Sequence, residues 1–133
     1  MLIQLPELPP PLSACYTNPR GRPGRIKTAR YKAWENLCLP YCNILRGVSG
    51  KVRVIYQFKR PDNRIRDLGN LEKATSDLLV KSGMIDDDSD INSMWLFWAV
   101  RDDAAPVEIT IEKDPATAGD GIGEVYYFAT RKT

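Results

Sequence analysis

The chain has 133 residues, 43% hydrophobic and 27% charged, which suits one domain with its own core and leaves no room for a second. Its net charge of +2, from 19 Lys and Arg against 17 Asp and Glu, does not by itself argue for a polyanionic partner. No stretch approaches the ~20 apolar residues of a membrane span, and the Pro-rich start lacks the charged and apolar segments of a secretion signal. A cytoplasmic location and no membrane partner are therefore expected. Three cysteines, Cys15, Cys38 and Cys42, without C-x-x-C spacing, argue against a disulfide framework and for a reducing compartment.

Leu2-Ile3-Gln4-Leu5 reads as a short strand, ended by the prolines between Pro6 and Pro11, which cannot donate ladder hydrogen bonds. The loop Asn18 to Arg25 is full of glycine and proline and is expected to be mobile until a ligand orders it. Between Arg20 and Lys32 stand Arg20, Arg22, Arg25, Lys27, Arg30 and Lys32 with no acid among them. Such a run is either a solvated loop and helix face or a phosphate-binding one.

A helix is expected from Thr28, with Tyr31, Trp34, Leu37 and Cys38 forming the apolar stripe that docks on a sheet and Pro40 kinking it or ending its first part. Lys51 to Phe58 alternates as a half-buried strand with Val52, Val54, Tyr56 and Phe58 on one side. A second helix spans roughly Asn70 to Ser82, with Leu71, Ala74 and Leu78 inward and Gly83 as its C-terminal cap. Ser93 to Val100, Val107 to Lys113 and Glu124 to Thr130 read as three further strands. That order predicts an α+β fold, a mixed β-sheet with two main helices packed on it, in a single domain over residues 1–133.

The chemistry concentrates between Arg64 and Ile91. Asp67 stands where a loop enters the second helix, a place that suits either a cap accepting amide hydrogen bonds or a preorganised metal ligand. Asp86, Asp87, Asp88 and Asp90 crowd into five residues, so they repel one another unless water or a cation compensates. Their spacing starts like an EF-hand loop, but Ile91 and Phe97 fall where that loop needs Gly and Glu. Lys73 is about one and two-thirds helical turns beyond Asp67. It is either a surface lysine making ordinary salt links or a cation for a phosphate in the transition state.

The chain contains no histidine, which removes histidine-metal nucleases, a histidine general base and every Ser-His-Asp or Cys-His scheme. No P-loop or dinucleotide-binding glycine pattern is present. Trp95, Phe97 and Trp98 suit base stacking, a core or a subunit contact. Cations beside clustered aspartates fit a polyanion held against a hard divalent ion, hence a metal-dependent nuclease.

The stretch Pro61-Asp62-Asn63-Arg64-Ile65-Arg66-Asp67-Leu68-Gly69-Asn70-Leu71-Glu72-Lys73, followed by Asp77-Leu78-Leu79, Gly83 and Asp87-Asp88-Ser89-Asp90-Ile91, resembles the RusA-type crossover-junction endodeoxyribonucleases. The resemblance extends upstream through the Pro-rich start, the Arg20-Gly21-Arg22 loop and the first helix, and downstream to Glu108-Ile109-Thr110-Ile111, so it covers most of the chain. It implies a homodimer, bacterial or phage-encoded, that binds four-way (Holliday) DNA junctions and cuts paired strands symmetrically with Mg2+ or Mn2+, in DNA recombination and repair. Carried over by position, it implies Asp67, Lys73 and Asp88 as catalytic residues and Asp67, Asp87 and Asp88 as metal ligands. Arg20, Arg22, Arg25, Lys27, Arg64 and Arg66 become the DNA contacts. One departure stands out: the family pattern D-L-D-N has lost its second aspartate to Gly69. A hard-metal site short of one ligand binds its cation more weakly, so a catalytically weak or inactive junction-binding protein of the same fold is the alternative.

Overall fold

The alternation expected of Lys51 to Phe58 is realised as a strand in which every second side chain is buried, from Val52 through Val54 and Tyr56 to Phe58. In the computed structural model, which describes residues 1–21, 23–43, 46–114 and 124–127, this strand is the centre of the sheet. The elements in chain order are β1 (Leu2–Leu5), a single 3-10 turn at Leu12–Ala14, β2 (Tyr16–Thr17), β3 (Ile26–Lys27), α1 (Ala29–Asn43), β4 (Val52–Phe58) and α2 (Gly69–Lys81). A second 3-10 turn at Asp88–Asp90, β5 (Ile91–Trp98), β6 (Val107–Lys113) and β7 (Glu124–Tyr127) complete the order. The last strand was expected to run on to Thr130; residues 128–130 lie outside the described residues.

Five strands lie in the order β1-β6-β4-β5-β7, with β1, β6 and β4 antiparallel in sequence and β4, β5 and β7 parallel. The mixed α+β sheet is thus borne out. A parallel β4–β5 pair needs a crossover, and α2 supplies it. Along β5 the burial alternates as in β4, so Met94, Leu96 and Trp98 enter the core while Trp95 and Phe97 lie on the opposite, half-buried face. Of the three strand aromatics, then, only Trp98 is a core residue. The Arg60 guanidinium lies 4.4 Å above its ring.

The helices cover the face that carries Val54, Tyr56 and Phe58. Helix α1 buries Tyr31, Trp34, Glu35, Cys38 and Cys42, a stripe at helical spacing. Leu37, expected inward, is exposed, and Glu35 occupies the inward position instead. The amide of Tyr31 donates to the Thr28 hydroxyl at 3.2 Å, so Thr28 caps the helix it was expected to start. Helix α1 also continues through Pro40 to Asn43. Proline removes one hydrogen bond there, and burial of Cys38 and Cys42 on either side holds the turn.

Helix α2 buries Leu71, Ala74, Leu78 and Leu79, and the Tyr56 hydroxyl meets the Ser76 hydroxyl at 2.6 Å inside the core. Its end is a tight reversal: Ser82 donates to Leu78, Gly83 to Val80 and Met84 to Leu79. Gly83 takes a φ of +78° there, a backbone that side chains disfavour, as its predicted capping role requires. The segment from Asn18 to Arg25 is closed at its base by the β2–β3 pairing of Tyr16 with Lys27 and Thr17 with Ile26. Two-residue strands carry too little periodicity to be seen in the sequence. No helix among the described residues is long and apolar enough to cross a membrane.

Candidate active site

The loop entering α2 is organised by Asp62, whose carboxylate accepts the Arg64 amide at 3.0 Å and the Arg66 guanidinium at 2.8 Å. The Arg66 hydrogen bond, aided by the Arg64 amide, holds the Asp62 carboxyl below the usual carboxylate range. Arg64 and Ile65 remain exposed at the tip of this loop. Asp67 follows, exposed, with Oδ1 accepting the amide of Gly69 at 2.9 Å and its carbonyl accepting the amide of Asn70 at 3.1 Å. The Gly69 hydrogen bond fixes the Asp67 side chain one residue before the N-cap, Leu68, where amide dipoles favour negative charge.

One helical stretch further on, Lys73 extends its ammonium to Asp77 Oδ1 at 3.0 Å and to Asp88 Oδ2 at 3.7 Å. The fold thus brings a lysine on α2 onto an aspartate fifteen positions later in the turn that begins β5. The Asp77 hydrogen bond, with the charges of Asp77, Asp88 and Glu72, raises the Lys73 pKa. Lys73 consequently stays cationic through neutral pH and serves as a fixed positive charge, not as a base. Burial raises the neighbouring Glu72 carboxyl, and the charges of Asp77 and Asp88 push it the same way while Lys73 opposes them.

The crowded aspartates are divided among separate partners. Asp87 accepts a short hydrogen bond from the Ser89 hydroxyl, which lowers its pKa. Asp88 faces Lys73, and Asp90 pairs with Lys51 at 3.6 Å. Asp86 is exposed. Within the run Asp88 and Asp90 thus face lysines, Lys73 on α2 and Lys51 just before β4, while Asp86 and Asp87 stay exposed to solvent.

Two clefts border these residues. Asp67 lines one of about 640 Å3, together with Arg30, Arg66 and Asn70. Asp87 and Asp88 line another of about 390 Å3, walled by Lys27, Glu35, Asp77 and Lys81. Asp67 and the Asp87–Asp88 pair thus face different clefts. Among the described residues no group of three or more Asp, Glu, Cys or His is placed to hold a metal ion. The donors nevertheless fit a hard divalent cation in kind. Magnesium keeps several waters and is commonly held by one or two carboxylates together with substrate phosphates, not by an all-protein cage. Two adjacent exposed aspartates, beside a lysine that already answers their charge, meet that requirement.

The cations expected to touch DNA are distributed unevenly. Arg20, Arg25 and Arg64 are exposed, and the Arg25 guanidinium lies 5.0 Å above the Tyr16 ring. Arg66 is engaged by Asp62, and Lys27 reaches both oxygens of Glu35 at 3.0 Å. Arg22 lies outside the described residues. Glu35 went unnoticed in the sequence, although a signal existed: with Tyr31, Trp34, Cys38 and Cys42 it falls on the inward stripe of α1, so a charge there must be buried and paired. The fold also commits Lys81 and Asp77 to the Asp87–Asp88 cleft.

A family model described as Endodeoxyribonuclease RusA matches residues 16–112, the segment that contains every residue of both clefts implicated in charge or metal contacts. No curated protein matches the sequence.

Proposed function

From the premise that the chain belongs to the RusA endodeoxyribonuclease family, we propose that it resolves four-way DNA junctions by paired symmetric nicks that depend on Mg2+ or Mn2+. The Lys73 contact with Asp88 supports this reading best. It unites the motif lysine and the acid of the following turn at one point on the surface, where both can meet the same phosphate.

In this proposal Asp87 and Asp88 would hold the cation, and Asp67, which lines a separate cleft, is the third ligand that the family motif implies. A divalent cation held there would supply Lewis-acid charge for the phosphoryl oxygen and for the attacking water. The chain's own residues do the rest. Asp77 fixes the Lys73 side chain, and the Lys73 ammonium offsets the charge that builds on the phosphate as the scissile bond breaks. The exposed Arg20, Arg25 and Arg64 hold the backbone on either side, with Arg66 set by Asp62 at the mouth of the Asp67 cleft. Two copies of the chain would present two such sites across a two-fold symmetric junction, so a homodimer is part of the proposal. Its setting is DNA recombination and repair in the cytoplasm of a bacterium or a phage-infected cell.

A synthetic four-way junction incubated with protein and Mg2+ tests the reading. Symmetric nicks in opposing strands are expected, and Asp88→Asn should abolish them while junction affinity changes by less than about threefold, because backbone contacts lie elsewhere. An unchanged nicking rate in that variant defeats the assignment. Gly69 favours the second reading, a junction binder of weak or no activity, and a stable shifted complex without product would establish it.

A further inference from the structure

We propose that Glu35 is a positioning residue that pins Lys27 and Lys81 as a paired phosphate clamp on the wall of the Asp87–Asp88 cleft, which makes Lys81 a DNA contact. The inference rests on the nuclease reading and adds to it residues that the motif does not contain.

Glu35 is only 1% exposed, a position where an ionised carboxylate is stable only when paired. Its partners come from two different elements. Lys27, on β3, reaches both carboxylate oxygens at 3.0 Å, and Lys81, on the last turn of α2, reaches Oε1 at 3.5 Å. Both lysines are thereby tethered to one oxygen on a third element, α1, and their separation is set by the packing of the core instead of by side-chain rotamers. The Tyr31 ring, with its centroid 5.1 Å from the Lys27 ammonium, restrains that end further.

The donor count leaves room for a ligand. An ammonium carries three N–H donors. Lys27 gives two to Glu35 and Lys81 gives one, so each keeps donors for another acceptor, and their side chains are 34% and 47% exposed. Both line the same cleft as Asp87 and Asp88. With Lys73 reaching Asp77 and Asp88, three lysines stand against Glu35, Asp77, Asp87 and Asp88 around this cleft, so it is net negative until a metal binds. When the aspartates take up a divalent cation, the lysines are left facing an electropositive cleft, and a phosphodiester is the acceptor that completes it. Stability alone does not explain such a buried triad, since well-packed apolar residues of similar volume commonly serve as well or better.

The test uses the full chain and a synthetic four-way junction, with binding measured in Ca2+ across a salt series and nicking measured in Mg2+. Lys81→Met should lower the slope of log affinity against log salt by about 0.9, the value for one lost phosphate contact. Glu35→Gln still accepts one lysine but turns an amide toward the other, so nicking should fall about tenfold or more while affinity shifts much less. In a Lys27→Met/Lys81→Met background the same Glu35→Gln change should lose most of its effect, because it acts through those lysines. An unchanged salt slope in Lys81→Met, or an equal Glu35→Gln loss in both backgrounds, overturns the clamp. Because Glu35 lies in the core, the Lys81→Met slope decides independently of whether the Glu35 variant folds. Wild-type protein that binds junctions without nicking removes the nuclease reading and leaves the slope comparison standing, whereas wild-type protein without salt-dependent junction binding overturns both.

Discussion

Replacing Gly69 by aspartate tests whether the missing motif carboxylate limits metal binding. A Cβ built at Gly69 would lie 3.4 Å from Asp67 Oδ1 and 4.0 Å from its Cγ, ordinary contact distances, and the backbone there is not left-handed. The side chain therefore fits. Without metal, restricting the unfolded chain favours the variant by about 0.4–1 kcal/mol. A negative charge in the first turn of α2 adds about 0.3–1 kcal/mol, and repulsion from the exposed Asp67 removes about 1 kcal/mol at ~4 Å in water. These contributions nearly cancel, so metal-free melting temperatures should agree within a few degrees. With a divalent cation, one more carboxylate at ~4 Å is worth about 2 kcal/mol even at the dielectric constant of water, roughly a 30-fold gain in affinity. Titration of Mg2+ by calorimetry, and the Mg2+ concentration that half-saturates nicking, should both report it. If Gly69→Asp melts far below wild type without metal, the steric argument fails. If its Mg2+ affinity is unchanged, the metal does not bind next to Asp67, and the carboxylates that hold it must be sought around Asp88 alone.

Tyr56→Phe leaves the buried Ser76 hydroxyl without its 2.6 Å partner and should destabilise the fold by about 1–3 kcal/mol in urea unfolding, with no change in the slope m. Burial raises the folded-state pKa of Glu72 above its ordinary 4.5, so its favourable contribution to folding is complete below about pH 4.5 and lost as pH rises through the folded value. Glu72→Gln should accordingly melt higher than wild type at pH 7 and lose that advantage at pH 4; an advantage that persists in acid would show that the ionised carboxylate is not what opposes folding. Lys73→Met removes the cation shared by Asp77 and Asp88 and should slow nicking by about a hundredfold or more, and a measured Mg2+ affinity no weaker than wild type would show that the lysine acts on the phosphate and not through the metal.

The strands and the helix carrying the motif were legible because their burial follows a local period. Val52, Val54, Tyr56 and Phe58 alternate, and Leu71, Ala74 and Leu78 recur at helical spacing, so each face declares itself without reference to any distant residue. Gly83 was legible for the same reason: it ends a periodic run, and only a residue tolerant of positive φ closes that turn. The motif around Asp67, Lys73 and Asp88 fixed the family, because side-chain chemistry at set spacings survives in sequence alone. Pairings made across the fold left no such trace. The β2–β3 ladder, the passage of α1 through Pro40 and the exposure of Leu37 each depend on what packs or pairs from elsewhere.

What the amino-acid order determined by itself was therefore the set of elements, the inward faces of most of them and the chemistry available to the candidate site: carboxylates and cations, with no histidine to offer another mechanism. Only the tertiary structure decided which charges answer which. It set Asp88 against Lys73, gave Asp90 to Lys51 and buried Glu35 between Lys27 and Lys81. The physical reason is range. Periodic burial is encoded over a few residues along the chain, whereas these ion pairs form only between groups within about 4 Å in space, and the packing that brings β3, the start of β4, α1, α2 and the turn before β5 together determines which groups those are.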